Sequence, residues 1–370
     1  MQLAQPVKLI RKDAYEAMAR RITMQEIAEK VGLSKSTVSY VLNGRGDVVR
    51  IPKETQKRIF DAARSLGYHP NALARGLAHK RTCTIAVVMQ YPLLFAGWSG
   101  FTNELLHGVT DAAITLEYDL MLHTRKTTPE WYLEEQDPVS AEAARLMDGR
   151  VDGALLLRDV DDPLAEILYA HNFPAVLMFT HTTKPHIWYV DCDNTTGAVL
   201  AVEHLLRLGH RRILHVAGSP HSGAAQERIQ GYRCAMERAG IAVKEEWIQE
   251  ATSPAADFSQ IAALFQLSAQ ERPTAVFAWS DDVAVRLLQI LRSLGLRVPQ
   301  DVAIVGFDST GMCDHVDPPL SSVRQPVYDM AHKAVELLHA RLRGMRVKPF
   351  QIRVAPTLDV RRSCGAYLVS

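Results

Sequence analysis

Residues 22–43 read ITMQEIAEKVGLSKSTVSYVLN, and this stretch decides how the amino-terminal part of the chain folds. Thr23 can accept a hydrogen bond from the backbone three residues on, and Glu26 can reach back to it. The two make a capping box ahead of an apolar stripe of Ile27, Ala28 and Val31. Gly32-Leu33-Ser34 ends that helix, because glycine tolerates the left-handed conformation at a helix carboxyl end and Ser34 can cap the helix that follows. The second helix starts at Lys35. Val38, Val41 and Leu42 fall on its inner side, leaving Lys35, Ser36, Thr37, Ser39 and Tyr40 for the outer side or the helix start. Two short helices joined by a three-residue turn, with a basic, polar second helix, predict a helix-turn-helix that enters the major groove of DNA.

Outward from this motif, Pro52 to Leu66 predicts a third helix, with Pro52 in its first turn and Ile59, Ala62, Ala63 and Leu66 facing inward. Three such helices make a minimal all-α core. A helical hairpin that only dimerises is the rival reading, and charge argues against it. Residues 1–81 hold 16 Lys and Arg against 7 Asp and Glu, a net charge of +9, while the remainder carries −8; the chain totals +1. A cationic head on an anionic body points to phosphate contact and to salt-dependent binding. Residues 1–22 form an extension in which Asp13 to Arg21 can make a short helix.

Gly67-Tyr68-His69-Pro70 breaks the third helix. Asn71 to Leu77 follows as a helical run too short to be stable alone, capped by Asn71 and weakened by Gly76. Residues 70–81 read either as an ordinary linker or as a segment that folds on what it touches.

From Thr84 onward short apolar runs alternate with amphipathic stretches. TIAVVM precedes Phe101 to Leu116; then come GALLL, AVLMF at 175–179, RILHVA at 212–217, AVFAW at 275–279 and VAIVGF at 302–307. Continuous β-branched runs interleaved with helices predict parallel sheets covered on both faces, hence an α/β body. Turn signals at 191–194 and 318–326 fit two doubly wound lobes joined by more than one crossing strand. Ligands in such sheets bind beyond the carboxyl ends of the strands. That rule selects Thr180 and His181 after AVLMF, the 218–228 loop after RILHVA, Ser280 and Asp281 after AVFAW, and Asp308 after VAIVGF.

The chain is 370 residues long and 47% hydrophobic, without a run of eighteen apolar residues. Its amino terminus is too charged for a signal peptide, which places it in the cytoplasm, with no membrane partner. Cys83, Cys192, Cys234, Cys313 and Cys364 are scattered, with no CxxC, so buried free thiols are expected and no metal site or cofactor. Catalytic motifs fall short. Gly97-Trp98-Ser99-Gly100 is one residue short of GxSxG, Asn43-Gly44-Arg45-Gly46 lacks the third glycine of a dinucleotide loop, and fourteen histidines give no HExxH. The chain reads as a binding protein and not an enzyme.

VGLSKSTVSYVLNG, LGYHPNALARGL, RTCTIAVV, RVPQDVAIVGFD and PTLDVRRS occur in this order, and together they resemble the LacI-type family of bacterial transcriptional repressors. The resemblance covers nearly everything after residue 22. It implies a head at 23–69, a hinge helix at 70–81 that folds on operator DNA, and a bilobed body similar to periplasmic sugar-binding proteins. One lobe would hold 82–189 with 324–345, the other 190–323 with 346–370. Lys35, Ser36 and Tyr40 match base-reading positions, with Tyr40 departing from the arginine or histidine often found there. Ser34, Thr37, Ser39 and Asn43 match phosphate-contacting ones, and Leu77 matches a leucine wedged into the minor groove.

For the body the resemblance implies a small-molecule effector held at Arg228 and Asp308. Ser280, Asp281 and Asp193 match nearby segments; for Asp193 and Asp281 a strand-end or helix-capping role is equally compatible. Trp98 and Phe101 can stack on a sugar or a base, or simply pack a lid. Phe179 stands where relatives often have aspartate, and Ser222 where purine-sensing relatives carry arginine, which favours a carbohydrate. The expected partners are a palindromic double-stranded operator, that effector and a second copy of the chain, since no leucine heptads follow RRSCG. Rival readings are a transport solute-binding protein and a regulator responding to a nucleobase or nucleoside.

Overall fold

The computed structural model describes residues 22–69, 76, 81–89, 99–123, 137–160 and 162–368. The extension, the hinge run with Leu77, and Trp98 lie outside the described residues. The chain divides into two compact units after Thr82.

In the first unit, α1 (Met24–Val31) starts at the expected capping box: Thr23 Oγ1 accepts from Glu26 N at 3.4 Å and Glu26 Oε2 accepts from Thr23 N at 2.8 Å. Gly32, at φ +68°, closes the helix. Ser34 Oγ then accepts from Thr37 N at 3.1 Å to start α2 (Lys35–Leu42). The third helix, α3 (Lys53–Leu66), begins just after Pro52. Ile27, Ala28, Val31, Val38, Val41, Ile59, Ala62 and Ala63 form the core, while Leu42 and Leu66 pack at its margin. Full burial of a side chain such as Ile59 contributes about 1.5–3 kcal/mol, so a core this small tolerates few truncations.

The second unit holds two six-stranded sheets. The first lobe contains β1 (Thr84–Met89), α4 (Gly100–Thr115), β2 (Asp119–His123), α5 (Pro138–Leu146), β3 (Gly153–Leu157), α6 (Leu164–Ala170), β4 (Ala175–Met178) and β5 (Trp188–Cys192). The chain then crosses into α7 (Asn194–Arg207), β6 (Ile213–Ala217), α8 (Gly223–Arg238), β7 (Ile248–Glu250), α9 (Ser259–Gln266), β8 (Ala275–Ala278), α10 (Asp281–Ser293), β9 (Ala303–Asp308) and β10 (Ser321–Arg324). It returns through α11 (Val327–Leu342), which packs on α4, and β11 (Gln351–Val354), then crosses again into β12 (Thr357–Asp359). The first sheet, ordered β11-β5-β4-β3-β1-β2, is wholly parallel. The second, ordered β12-β10-β9-β8-β6-β7, is parallel except at β12.

The unbroken apolar runs follow from two-sided burial. Ile85, Val87 and Met89 of β1 join α4 and α11 on one face, while Ala86 and Val88 join α5 and α6 on the other. Three sheet boundaries depart from the expected lobes. Val190–Cys192 stay in the first sheet, Arg324 belongs to the second, and Gln351–Val354, assigned to the second lobe, pair with Tyr189–Cys192 of the first. The cause is non-local: β11 is an edge strand stabilised by its pairing to β5, and QIRV carries little apolar signal of its own. The thiols need one amendment as well, since Cys83 is exposed and Cys234 half-buried; all five are free.

Candidate DNA-reading face and ligand cleft

On α2, Lys35, Ser36 and Tyr40 are exposed together. The candidate phosphate contacts satisfy one another in pairs: Ser34 Oγ and Thr37 Oγ1 lie 2.8 Å apart, and Asn43 Nδ2 donates to Ser39 Oγ at 3.2 Å. This fixes their rotamers while leaving acceptor and donor capacity for an incoming phosphate. Arg45, not singled out from sequence, lies over the Tyr40 ring with Cζ 5.9 Å from the centroid.

In the body, α8 carries Arg228 into the interior near the carboxyl ends of the second sheet. Its Nε and Nη2 donate to Asn194 Oδ1 at 3.0 and 2.9 Å, its Nη1 donates to the Trp279 carbonyl, and its Cζ lies 3.5 Å from the Phe307 ring centroid. Burial pulls the guanidinium below the usual arginine range, and the negative charge of Asp308 works against that. Asp308 ends β9 at φ +112°, with Ser309 following at φ +50°. Non-glycine residues held in this region cost of order 1–3 kcal/mol and cluster at ligand sites. Asp308 Oδ1 accepts from Gln325 Nε2 at 2.5 Å. Burial pushes its carboxyl well above the usual range, opposed by Arg228.

The other candidates are placed differently. Ser280 Oγ caps α10 by accepting from Val283 N at 3.4 Å. Asp281 is saturated by its own lobe: Ser322 Oγ donates to Oδ1 at 2.5 Å, and Thr310 N and Cys313 Sγ donate to Oδ2, each at 3.0 Å. Of its two readings, structural brace and ligand contact, this geometry fits the brace. Asp193 caps α7 through Thr196 N at 3.0 Å and stands on the first crossing. Phe101 meets Phe179 edge to face, with centroids 4.8 Å apart at 71°.

Sequence reasoning overlooked Asn194 and Gln325, which lie on or beside the lobe crossings and hold the two candidate ligand residues. It also overlooked Asp191, Glu227 and Arg353. His181 Nδ1 is 2.8 Å from Asp191 Oδ2, its Nε2 is 3.6 Å from Glu227 Oε1, and Arg353 Nη2 donates to both Glu227 oxygens at 2.8 Å. His181, Asp191 and Glu227 bring ligand atoms within 4.8 Å of one another. Arg353 neutralises Glu227 and the imidazole engages Asp191, so the cluster is held together as an ion-pair network. DCDN at 191–194, three polar residues and a buried cysteine at a strand end, is the signal that could have found them.

A three-helix head on a two-sheet receptor defines a ligand-controlled DNA-binding protein. Residues 23–71 match the family described as bacterial regulatory proteins, lacI family, and residues 202–364 match a periplasmic binding protein-like domain. The chain is 35% identical to the HTH-type transcriptional regulator CelR of Thermobifida fusca, over 93% of this chain and 98% of that one. It is 31% identical to the HTH-type transcriptional repressor PurR of Vibrio vulnificus, over 92% and 97%. Among solved structures, a transcriptional regulator CelR–cellobiose complex aligns over 93% of this chain and all of that one, with a TM-score of 0.67 and 31% identity. The chain belongs to the lacI family of bacterial transcription regulators. It is a DNA-binding repressor with an effector-binding body; its partners are operator DNA and a small molecule. It is not an enzyme, and the solute-transport reading is set aside. Among the described residues no helix is long and apolar enough to cross a membrane.

Proposed function

We propose that the effector is a neutral carbohydrate gripped between Arg228 and Asp308, and that its binding is transmitted through the crossings between the lobes to the operator-binding head. One observation carries this reading: each gripping residue is already hydrogen-bonded to a crossing, Arg228 to Asn194 and Asp308 to Gln325. A ligand hydroxyl that competes for either group alters a hydrogen bond at the point where the lobes hinge, and so favours one lobe angle over another. Opposed carboxylate and guanidinium groups suit vicinal hydroxyls, which both donate and accept. The cellobiose bound by the similar CelR supports the same class.

In this reading Lys35, Ser36 and Tyr40 read bases, Ser34, Thr37, Ser39 and Asn43 hold phosphates, and Leu77 wedges the minor groove once residues 70–81 fold on DNA. The working form is a cytoplasmic dimer on a near-palindromic operator, because one head offers too few base contacts for operator-level specificity. A thermal-shift screen of neutral sugars, sugar phosphates and nucleobases tests the ligand class. A neutral sugar should raise the melting temperature by mass action; stabilisation by a nucleobase alone would overturn the carbohydrate reading.

A further inference from the structure

His181 stands between two carboxylates contributed by different lobes. Asp191, on β5 of its own lobe, faces Nδ1 at 2.8 Å; Glu227, on α8 of the second lobe, faces Nε2 at 3.6 Å. A neutral imidazole has a single N–H. With that proton on Nδ1 and directed to Asp191, Nε2 turns a lone pair toward the Glu227 carboxylate. The imidazolium keeps the hydrogen bond to Asp191 and sets a positive charge and an N–H toward Glu227, an ion pair at 3.6 Å. We propose that His181 and Glu227 form a proton-controlled latch between the lobes, so that closure of the cleft strengthens as His181 takes up a proton and weakens as it loses one.

Among the described residues, the charged and titratable groups around the imidazole are Asp191 and Tyr189 on β5, Asp193 at the start of α7, Glu227 on α8 and Arg353 on β11. The hydrogen bond that His181 donates to Asp191 is the largest influence and raises the His181 pKa above its ordinary 6.5; burial and Arg353 oppose it, and Glu227 adds to it. Asp191 travels with His181 when the lobes part. Glu227 does not, so Glu227 alone makes the proton tighter in the closed form. The latch is therefore complete below the open-form pKa and is lost as pH rises through the higher closed-form value. Arg353 also bonds Glu227, whatever the state of the imidazole, so the proton tunes closure without being its sole support.

The latch also touches the ligand site. Glu227 precedes Arg228, and Asn194 donates through Nδ2 to Glu227 at 3.3 Å while accepting from Arg228 through Oδ1. The latch does not depend on Arg228 binding a sugar, and lobe separation can be read with no ligand present.

The test uses the full-length protein without ligand. Ring NMR of His181 gives its pKa in the wild type and in Glu227→Gln, where a fall of roughly half a unit to one unit is expected. Pulsed EPR distances between labels at exposed Ala170 and Ala269, one in each lobe, are measured in protein diluted with unlabelled copies. Between about pH 5.5 and about pH 8 the wild-type distance should lengthen, while Glu227→Gln stays long throughout. His181→Gln, which cannot be protonated, should also stay long and covers the case that the first variant folds poorly. An unchanged His181 pKa in Glu227→Gln, a wild-type distance that ignores pH, or a pH response of wild-type size in either variant would overturn the latch.

Discussion

Asn194 holds Arg228 with a single oxygen: its Oδ1 accepts from both Nε and Nη2 of the buried guanidinium, at 3.0 and 2.9 Å. Asn194 opens α7 directly after the first lobe crossing, so the position of the guanidinium is tied to the position of the crossing.

Asn194→Ala leaves the guanidinium with the Trp279 carbonyl as its remaining hydrogen-bond acceptor. Ligand affinity should fall by about tenfold, roughly 1.4 kcal/mol, while operator affinity without ligand holds. Arg228→Lys should fare no better than Arg228→Ala, because an ammonium cannot reproduce the planar fork. Calorimetry with a sugar found by thermal shift measures each loss; full affinity in Arg228→Lys would argue against bidentate holding.

On the head, Lys35→Ala and Tyr40→Ala should cost roughly 1–3 kcal/mol on operator DNA and change base preference at one position per half-site. Thr37→Ala and Asn43→Ala should weaken operator and random duplex alike. Anisotropy titrations against both duplexes at several salt concentrations separate the two groups. Uniform losses for Lys35 and Tyr40 would move them to the phosphate-contacting set.

Asp281 gives a pH signature. Burial pushes its carboxyl up to about 6 against the donors Ser322, Cys313 and Thr310, while in the unfolded chain it returns to the ordinary 3.8. The native state binds the extra proton between those values. This group's contribution to stability is therefore greatest below 3.8, falls as pH rises to about 6 and is flat above. Denaturant unfolding of wild type against Asp281→Asn should show a difference that shrinks by roughly 1–3 kcal/mol across that window. A difference that grows with pH would contradict the assignment. Gly306→Ala should disturb the same brace, since its Cβ would lie 2.5 Å from Asp281 Oδ1.

Ligand charge should matter as well. Arg228 is the buried guanidinium among the described residues, and it faces the negative charges of Asp308, Asp191 and Asp281. A phosphate ester entering this cleft meets carboxylates, so it should bind at least about tenfold more weakly than its parent sugar. Paired calorimetric titrations of sugar and sugar phosphate check this, and equal affinity would contradict it.

The head was readable from sequence because its determinants are local: the Thr23–Glu26 box, Gly32 and Ser34 act within three or four residues. The two-sided sheets were readable from their apolar runs. What sequence withheld is non-local. Asp281 finds Thr310, Cys313 and Ser322, twenty-nine to forty-one positions later, and no spacing rule marks a carboxylate that its own lobe will saturate. Gln351–Val354 join the first sheet only because β5 offers an edge. Arg228 and Asp308 were selected by the strand-end rule and the family resemblance. Asn194 and Gln325, their partners at the crossings, meet them through contacts thirty-four and seventeen positions apart that no local pattern marks.

The most direct test measures operator affinity by anisotropy with and without the stabilising sugar, in wild type and Arg228→Ala, on a duplex selected from genomic fragments. The sugar should change wild-type operator affinity by roughly 5–150-fold and leave Arg228→Ala unmoved. A sugar that stabilises the wild-type protein yet leaves its operator affinity unchanged would contradict the claim that this cleft governs the head.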